Sequence, residues 1–273
     1  MRQTYFISEP LPCSYLANRV ERKYFTRISG SNSVEMNDRL AKHGFRRSRD
    51  IMYMHACPTC CACVPVRIRV CDFAPSKSQL RTARRNSFLK RIIRPSEPTE
   101  IQYELFTSYL NSRHKAGGME GMTWQDYSEM VDGSVTRSIL VEYWQPHENP
   151  EAKKELVGVA HVDILDDGLS MLYSFFDPGR PKSSLGTFMI LDNVNLAKEH
   201  GMKYVYLGFW VPGSEKMGYK AKFSALEALR SGKWSDIGDR SSYELRTRRP
   251  SGIGAQFKLQ EKTEMQAAVS ALA

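Results

Sequence analysis

The order of the predicted elements after residue 134 is the feature that most restricts how this chain can fold. Apolar runs predict strands over residues 135–144, 156–165 and 169–176, separated by a polar stretch and by a turn at residues 166–168. Such short, turn-linked strands are typical of an antiparallel meander. A helix over residues 184–200, ended by Gly201, then leads into a strand over residues 203–208. We therefore predict an α/β (α+β) fold in which helices accompany a mixed sheet.

The two halves of the chain differ in predicted secondary structure, because strands dominate only after residue 134, so we predict a domain boundary near residue 130. Residues 1–130 carry all six cysteines and are expected to be irregular up to about residue 63. Residues 131–245 are expected to hold the strand-rich core, and residues 246–273 to form a weakly ordered tail. A content of 41% hydrophobic and 25% charged residues argues against wholesale disorder. Because there is no bilayer-length apolar run and no signal-peptide core at the start, we expect a soluble, cytoplasmic protein.

Basic residues are concentrated in one segment. Between residues 64 and 95 there are nine basic side chains and one acid, so this segment holds a charge of +8 out of the net +9. A helix is predicted over residues 78–93, with Ser76 or Ser78 as its N-cap and with one basic face formed by Arg81, Arg84 and Arg85. That face suits a nucleic-acid phosphate backbone, and its alternative is a solvated surface.

Four of the six cysteines fall within residues 57–63. Neighbouring cysteines rarely reach the geometry of a disulfide bond, so metal ligation is the better hypothesis. Cys57, Cys60 and Cys63 form a C-x2-C-x2-C pattern that suits zinc or an iron–sulfur cluster. A fourth ligand is then needed, and Cys13 is the first candidate and His55 the second. The alternative is a group of small buried residues around a tight turn.

Residues 156–210 have the element order of an acyltransferase core of the GCN5-related N-acetyltransferase type, which is two meander strands, a loop, a helix and a strand. In such cores a glycine-rich loop at the helix N-terminus cradles the pyrophosphate of acyl-coenzyme A. The loop here, residues 180–186, has one glycine where that motif needs two. The single glycine argues against a coenzyme A site, and leaves an acyl-transfer architecture or an ordinary α/β core.

Lys216 and Lys220 flank Tyr219 soon after the last apolar strand. Active-site groups gather at such positions on open sheets. The lysines are candidates for holding an acidic acceptor or a phosphate, and the tyrosine is a candidate proton relay. The alternative is that all three are surface residues. A further helix is predicted over residues 219–229.

Seven segments occur here in the order in which one enzyme family has them. They are Cys13-Ser-Tyr15-Leu16 with Arg19, Gly44-Phe-Arg46-Arg47-Ser48, Cys57-Pro-Thr-Cys60-Cys61-Ala-Cys63-Val-Pro65-Val-Arg67, residues 73–85 (FAPSKSQLRTARR), Ser184-Leu-Gly186, Tyr206-Leu-Gly208 and Lys216-Met-Gly-Tyr219-Lys220. Through them the chain resembles the bacterial aspartate/glutamate leucyltransferases, which are relatives of the eukaryotic arginyl-tRNA:protein transferases. The resemblance covers residues 4 to about 230.

The resemblance implies a cysteine-bearing N-terminal region joined to an acetyltransferase-like core, acting as an aminoacyl-tRNA:protein transferase of the N-degron pathway. Such an enzyme moves leucine from Leu-tRNA to the N-terminal amine of a protein that begins with Asp or Glu; arginine is the alternative donor residue. Eukaryotic relatives hold an iron–sulfur cluster, which would map to Cys13 and the Cys57 cluster. Leu16 stands where the second early cysteine of the eukaryotic pattern stands. Transfer itself needs no cofactor, because the ester is already activated.

Expected site residues follow from these substrates. Contacts with tRNA are expected from Arg67, Lys77, Arg81, Arg84, Arg85, Lys90 and Arg91. The candidate proton relays are Tyr173, Asp177, Tyr206 and Tyr219. Lys216 or Lys220 is expected to bind the acidic first residue of the acceptor, and the tentative metal set is Cys13, Cys57, Cys60 and Cys63. The expected partners are aminoacyl-tRNA and proteins with an acidic N-terminus, with no membrane. Two other functions stay open: a coenzyme A-dependent N-acetyltransferase, and a non-enzymatic nucleic-acid-binding module with a metal site.

Overall fold

The chain forms two compact units. A computed structural model describes residues 3–113, 121–133, 135–146 and 154–243. One unit comprises Met1–Arg69 with Tyr206–Ala273, and the other comprises Val70–Val205. Both contain helices and strands, which confirms the α/β (α+β) class. The predicted boundary near residue 130 stays a prediction, and the predicted tail at residues 246–273 lies outside the described residues. Among the described residues, no helix combines the length and the apolar character that a membrane span needs.

The first unit begins with short strands around one helix. The elements are β1 (Phe6–Ile7), β2 (Leu11–Pro12), β3 (Val20–Glu21), β4 (Lys23–Arg27), α1 (Ser33–Lys42), β5 (Arg46–Ser48), β6 (Ile51–His55) and β7 (Val64–Arg69). Four of the strands form an antiparallel sheet in the order β1-β4-β6-β5, with Phe25 and Ile51 in its core. The predicted irregular start of the chain is therefore wrong. These strands have two to six residues, which is too short for an alternating pattern to stand out.

The second unit contains most of the helical residues. Its elements are α2 (Lys77–Arg85), β8 (Lys90–Pro95), α3 (Glu100–Arg113), α4 (Trp124–Val131), β9 (Ser138–Gln145), β10 (Glu155–Ile164), β11 (Gly168–Phe176) and α5 (Leu185–Glu199). The strands pair antiparallel in the order β8-β9-β10-β11, which confirms the meander. Thr123 and Asp126 form a capping box that begins α4.

Helices cover both faces of this meander. On one face, Phe106 of α3 and Tyr127 of α4 pack with Phe175 of β11 in a buried cluster. On the other face, the Tyr143 ring meets the Phe188 ring of α5 at 5.5 Å, and the Tyr143 hydroxyl donates to Asp192 Oδ2 at 2.9 Å. Strand β10 is consequently buried on both sides, which explains its nearly unbroken apolar sequence.

The chain enters the first unit again within β12 (Tyr204–Trp210), which is followed by β13 (Leu226–Arg230) and β14 (Lys233–Asp236). In this unit the strands lie in the order β14-β13-β7-β12. The helix predicted over residues 219–229 is wrong, because a short 3-10 turn at Gly218–Lys222 is followed by β13. Residues 226–230 form a strand because they pair with β7, where Leu226 lies opposite Ile68.

The predicted helix over residues 78–93 is too long. Ser76 caps α2 in a capping box with Gln79, but the helix ends at Arg85 and Asn86 caps its C-terminus. Residues Lys90–Pro95 then form β8, in which Arg91 pairs with Tyr143 of β9. Lys90 and Arg91 therefore lie on a strand and do not extend the arginine face of the helix.

Gly168 is a position where the second unit has no room for a side chain. A Cβ atom there would lie 2.2 Å from the carbonyl oxygen of Tyr204, and a backbone atom cannot rotate away. We predict that Gly168→Ala lowers the free energy of unfolding by about 1–3 kcal/mol, measured by urea denaturation. In the control Gly218→Ala, a Cβ meets nothing within 4 Å, and we expect a change within about 0.5 kcal/mol. Equal effects of both substitutions would contradict this explanation.

Candidate active site and nucleic-acid surface

Three segments that are distant in sequence meet around Gly208 in the first unit. Gly208 interrupts β12 with a φ of +71°. A Cβ atom on Gly208 would lie 1.8 Å from Nη1 of Arg46, the first residue of β5. Lys220 donates hydrogen bonds from Nζ to the carbonyl oxygens of Leu207 at 2.8 Å and Phe209 at 2.9 Å. The segments around residues 46, 208 and 220 therefore build one place in the fold.

Two features favour glycine at position 208. A φ of +71° lies in the left-handed region, where other residues are strained. In addition, the Arg46 guanidinium occupies the space that a side chain would take. Gly208 thus lets a cationic group lie directly against the backbone of a buried strand.

Lys220, a predicted binder of the acidic acceptor, is buried at 6% exposure. Burial lowers the pKa of its amino group, the Arg46 charge lowers it further, and Cys63 opposes the change. Its hydrogen bonds to the main-chain carbonyls lie on either side of Gly208. The structure therefore places Lys220 where it holds the backbone of β12. Lys216, the other candidate, is exposed.

His55 at the end of β6 stands in a group of aromatic rings. Its ring centroid lies 4.8 Å from that of Phe209, 5.8 Å from that of Tyr15 and 6.0 Å from that of Tyr53. Both ring nitrogens are buried, and neither hydrogen-bonds to another described residue. Burial lowers the pKa of His55 to about 4, with Glu21 opposing the change, so the imidazole is neutral near pH 7.

Tyr206 and Tyr219, two of the predicted proton relays, also lie in the first unit. The Tyr206 hydroxyl accepts a hydrogen bond from Arg67 Nη1 at 3.0 Å, and Tyr219 is 36% exposed. Arg67 is buried, donates to Glu227 Oε2 at 2.7 Å, and lies 4.4 Å from the centre of the Trp234 ring. Because its charge is enclosed in this way, Arg67 does not belong to the exposed basic surface.

Tyr173 and Asp177, the other two predicted relays, lie in the second unit. Tyr173 packs beside the rings of Phe106 and Phe175. The Asp177 carboxylate accepts from Arg180 Nε at 2.8 Å and from the backbone N–H of Gly179 at 2.8 Å. These bonds shape the turn that leads to α5.

Hydrogen bonds join the basic segment, residues 64–95, to the loop before α5. Arg85 donates to the carbonyl oxygen of Lys182, and Asn86 Nδ2 donates to that of Ser183 at 2.8 Å. Arg91 pairs with Asp192 at 3.2 Å and with Glu199. The remaining predicted tRNA contacts of this unit, Lys77, Arg81, Arg84 and Lys90, have exposed side chains. We call Lys77, Arg81 and Arg84, which lie on α2, the basic helix surface.

The predicted cysteine ligands lie near one another in the first unit. Burial raises the pKa of the Cys63 thiol, and the nearby Cys57, Cys13 and Cys60 raise it further. In the part of the chain that the structure describes, no three His, Cys, Asp or Glu side chains are arranged to hold a metal ion. The metal set Cys13, Cys57, Cys60 and Cys63 stays a prediction.

The sequence reasoning missed Arg46 and the rings of Tyr53 and Phe209 as site residues, and it named His55 only as a second candidate for a metal ligand. The segment Gly44-Phe-Arg46-Arg47-Ser48 contributed to the resemblance, but nothing in it indicated a partner. The one local signal was Gly208, because a glycine inside a strand often marks a close approach of another group.

Comparisons with known proteins agree with these motifs. Residues 11–81 match the family model described as arginine-tRNA-protein transferase, N terminus, and residues 101–230 match the one described as its C terminus. An aspartate/glutamate leucyltransferase from Dinoroseobacter shibae is 47% identical over 89% of this chain and 87% of its own length. An aspartate/glutamate leucyltransferase from Paracoccus denitrificans is 46% identical over 86% of this chain and 86% of its own length.

Solved structures resemble the chain only distantly. L-PGS from Bacillus licheniformis matches with a TM-score of 0.40 and 12% identity, over 57% of this chain and 49% of that one. A GCN5-related glucosamine N-acetyltransferase region in a fungal multi-domain beta-N-acetylglucosaminidase matches with a TM-score of 0.39 and 10% identity, over 81% of this chain and 24% of that one. Similarity at this level does not assign a fold family.

The contact between Arg46 and Gly208 gives a test with a matched control. Gly208→Ala adds a side chain where the guanidinium lies. Gly213 has a similar φ of +77°, and a Cβ there would meet only Leu16 Cδ2, at 3.9 Å. The control Gly213→Ala therefore carries the strain of a left-handed backbone without the collision.

We predict that Gly208→Ala lowers the free energy of unfolding by about 0.5–1 kcal/mol more than Gly213→Ala does, since the end of the Arg46 side chain must move. The physical reason is that the added methyl group and the Arg46 guanidinium compete for the same space. Chemical denaturation of both variants measures the difference, and equal losses would mean that Arg46 simply moves aside.

Proposed function

This chain belongs to the aspartate/glutamate leucyltransferase family, and from that premise we propose that it transfers leucine from Leu-tRNA to the N-terminal amine of proteins that begin with Asp or Glu. The observation that carries the proposal is an identity of 47% over 89% of the chain with a curated relative of that name. Addition of leucine would mark the acceptor for degradation through the N-degron pathway. We place the activity in the cytoplasm, where charged tRNA is available.

The reaction needs orientation more than chemical activation. The neutral amine attacks the carbonyl carbon of the aminoacyl ester, an amide bond forms, and the bond to the terminal ribose oxygen of the tRNA breaks. The proton that the amine loses passes to that leaving oxygen. Because the ester is already activated, the protein's task is to hold both substrates in register and to stabilise the charge that develops on the carbonyl oxygen.

The basic helix surface is proposed to hold the tRNA backbone. Lys77, Arg81 and Arg84 have exposed side chains on α2, and the sequence of this helix contains no acid. Hydrogen bonds from Arg85 and Asn86 join the end of α2 to residues 182–183, directly before α5. A tRNA strand that follows the helix would therefore reach residues 182–183, which precede α5.

Arginine is the second candidate for the transferred residue. The descriptions of both matching family models name an arginine-tRNA-protein transferase. Leucine is favoured because the relatives that match over most of their length carry the leucyltransferase name. A coenzyme A-dependent acetyltransfer is disfavoured by the single glycine of residues 180–186.

An assay with individually charged tRNAs tests the donor. We predict that labelled leucine moves from Leu-tRNA to peptides that begin with Asp or Glu, and that peptides beginning with Ala accept at least about 10-fold less, as the loss of one charge-assisted contact implies. Arg-tRNA and acetyl-coenzyme A serve as competing donors in parallel reactions. Transfer of arginine alone would replace leucine in the proposal, and labelling from acetyl-coenzyme A alone would refute tRNA dependence.

Charge reversal tests the basic helix surface. We predict that the double variant Arg81→Glu, Arg84→Glu binds tRNA at least about 10-fold more weakly near 0.15 M salt. The slope of log K against log salt should fall by about 1 for each lost phosphate contact. Filter binding over a salt series measures both quantities.

The matched control reverses two other exposed charges of the same unit. Lys198→Glu, Lys203→Glu changes the net charge equally but lies outside the basic helix surface. We expect this control to lose clearly less affinity and to keep the salt slope. If both double variants behave alike, the effect of Arg81 and Arg84 reflects net charge and the proposed surface is wrong.

A further inference from the structure

We propose that Arg46 is the residue that binds the acidic side chain of the acceptor's first residue. The inference rests on the proposed function, and it assigns a specificity role to a side chain that the sequence reasoning passed over. It concerns the first unit alone, in which Arg46, Gly208, Lys220 and His55 all lie.

The fold places the charge of Arg46 at a fixed point. Its Nη1 atom lies within 1.8 Å of the position that a Cβ on Gly208 would occupy, so the guanidinium packs on bare backbone. The backbone on either side of that point is held by the two hydrogen bonds from Lys220. The guanidinium therefore lies against a backbone segment that is itself held in place.

The charges near this point favour an anionic ligand. Arg46 acts electrostatically on Lys220, His55 and Tyr15. Glu21, the acid that acts on His55 and Tyr15, is itself 3.2 Å from Lys23 Nζ, and both are buried. Lys23 therefore offsets Glu21, and with Arg46 the three side chains carry a net positive charge that attracts a carboxylate.

The chemistry of arginine suits this role better than that of either lysine. A guanidinium offers a planar fork of donors that matches the two oxygens of a carboxylate. Arg46 is half-buried, so such a pair is screened less by water than a pair on the exposed Lys216. The amino group of Lys220 is directed at two main-chain carbonyls.

The aromatic group around His55 supplies the wall of the proposed subsite. The rings of Tyr15, Tyr53 and Phe209 surround the imidazole, and its two nitrogens have no hydrogen-bond partner among the described residues. The backbone of a bound peptide would lie against these rings, while Arg46 takes the side-chain carboxylate.

Acceptor kinetics and direct binding test the assignment. Peptides that differ only in a first residue of Asp, Asn, Glu or Gln are compared as acceptors and, by fluorescence titration without donor, as ligands. We expect wild-type protein to prefer the acids. In Arg46→Ala, the KM and Kd for the Asp and Glu peptides should rise by about 30-fold while those for the Asn and Gln peptides change little. The KM for aminoacyl-tRNA should stay the same.

Further variants separate recognition from folding. Arg46→Lys keeps the charge but not the fork, and we expect an intermediate loss of about 5-fold to 10-fold. Arg46→Gln keeps a long polar side chain if Arg46→Ala does not fold. The control Arg27→Ala removes an exposed arginine of the same unit, on β4, and should leave the preference for acids intact.

Several outcomes would overturn the assignment. A folded Arg46→Ala or Arg46→Gln protein that still prefers acids refutes it, as does equal weakening of all four peptides, which indicates a structural role. Loss of the preference in Lys216→Ala instead would assign the contact to Lys216. If wild-type protein binds acidic peptides through Arg46 but transfers nothing, the proposed function fails and the subsite stands.

Discussion

The two hydrogen bonds from Lys220 to the carbonyl oxygens of Leu207 and Phe209 are the contact on which the first unit's site depends. They hold β12 on both sides of a residue whose backbone is left-handed, at φ +71°. That conformation admits only glycine without strain, and the bare backbone then admits the guanidinium of Arg46. A buried amino group, a glycine and an arginine from three distant segments thus fix one another's positions.

In the second unit, buried hydrogen bonds and an ion pair join the helices to the strands of the meander. Gln102 donates to Glu142 Oε1 at 2.6 Å and accepts from the Tyr127 hydroxyl at 3.1 Å, which ties α3 and α4 to β9. On the opposite face Asp192 joins α5 to β9 through Tyr143 and to β8 through Arg91. Because these polar groups have partners, the layers can pack closely without the cost of an unsatisfied charge.

Sequence reasoning worked best where the signal is long and local. The meander and α5 show apolar patterns over eight or more residues, and Ser76 signals the start of α2 through a nearby side chain. It failed where pairing between distant segments decides the structure. Residues 226–230 have apolar spacing that suits a helix as well as a strand, and their pairing with β7 selects the strand. The candidate site is harder to predict from sequence. The motifs contain Arg46, Gly208 and Lys220, but no local pattern indicates that these residues are in contact.

The position of β8 has a consequence for the behaviour of the protein in solution. It is the terminal strand in the order β8-β9-β10-β11, so its outer backbone groups are a potential template for a foreign strand. Lys90 and Arg94 are exposed on it, and Pro95 closes it with a residue that has no N–H. Two copies that approach through β8 repel each other because of these positive charges. The absence of an N–H group on Pro95 also reduces the number of backbone hydrogen bonds that two β8 strands could form. The same cations that enrich this region in positive charge therefore also protect it against aggregation.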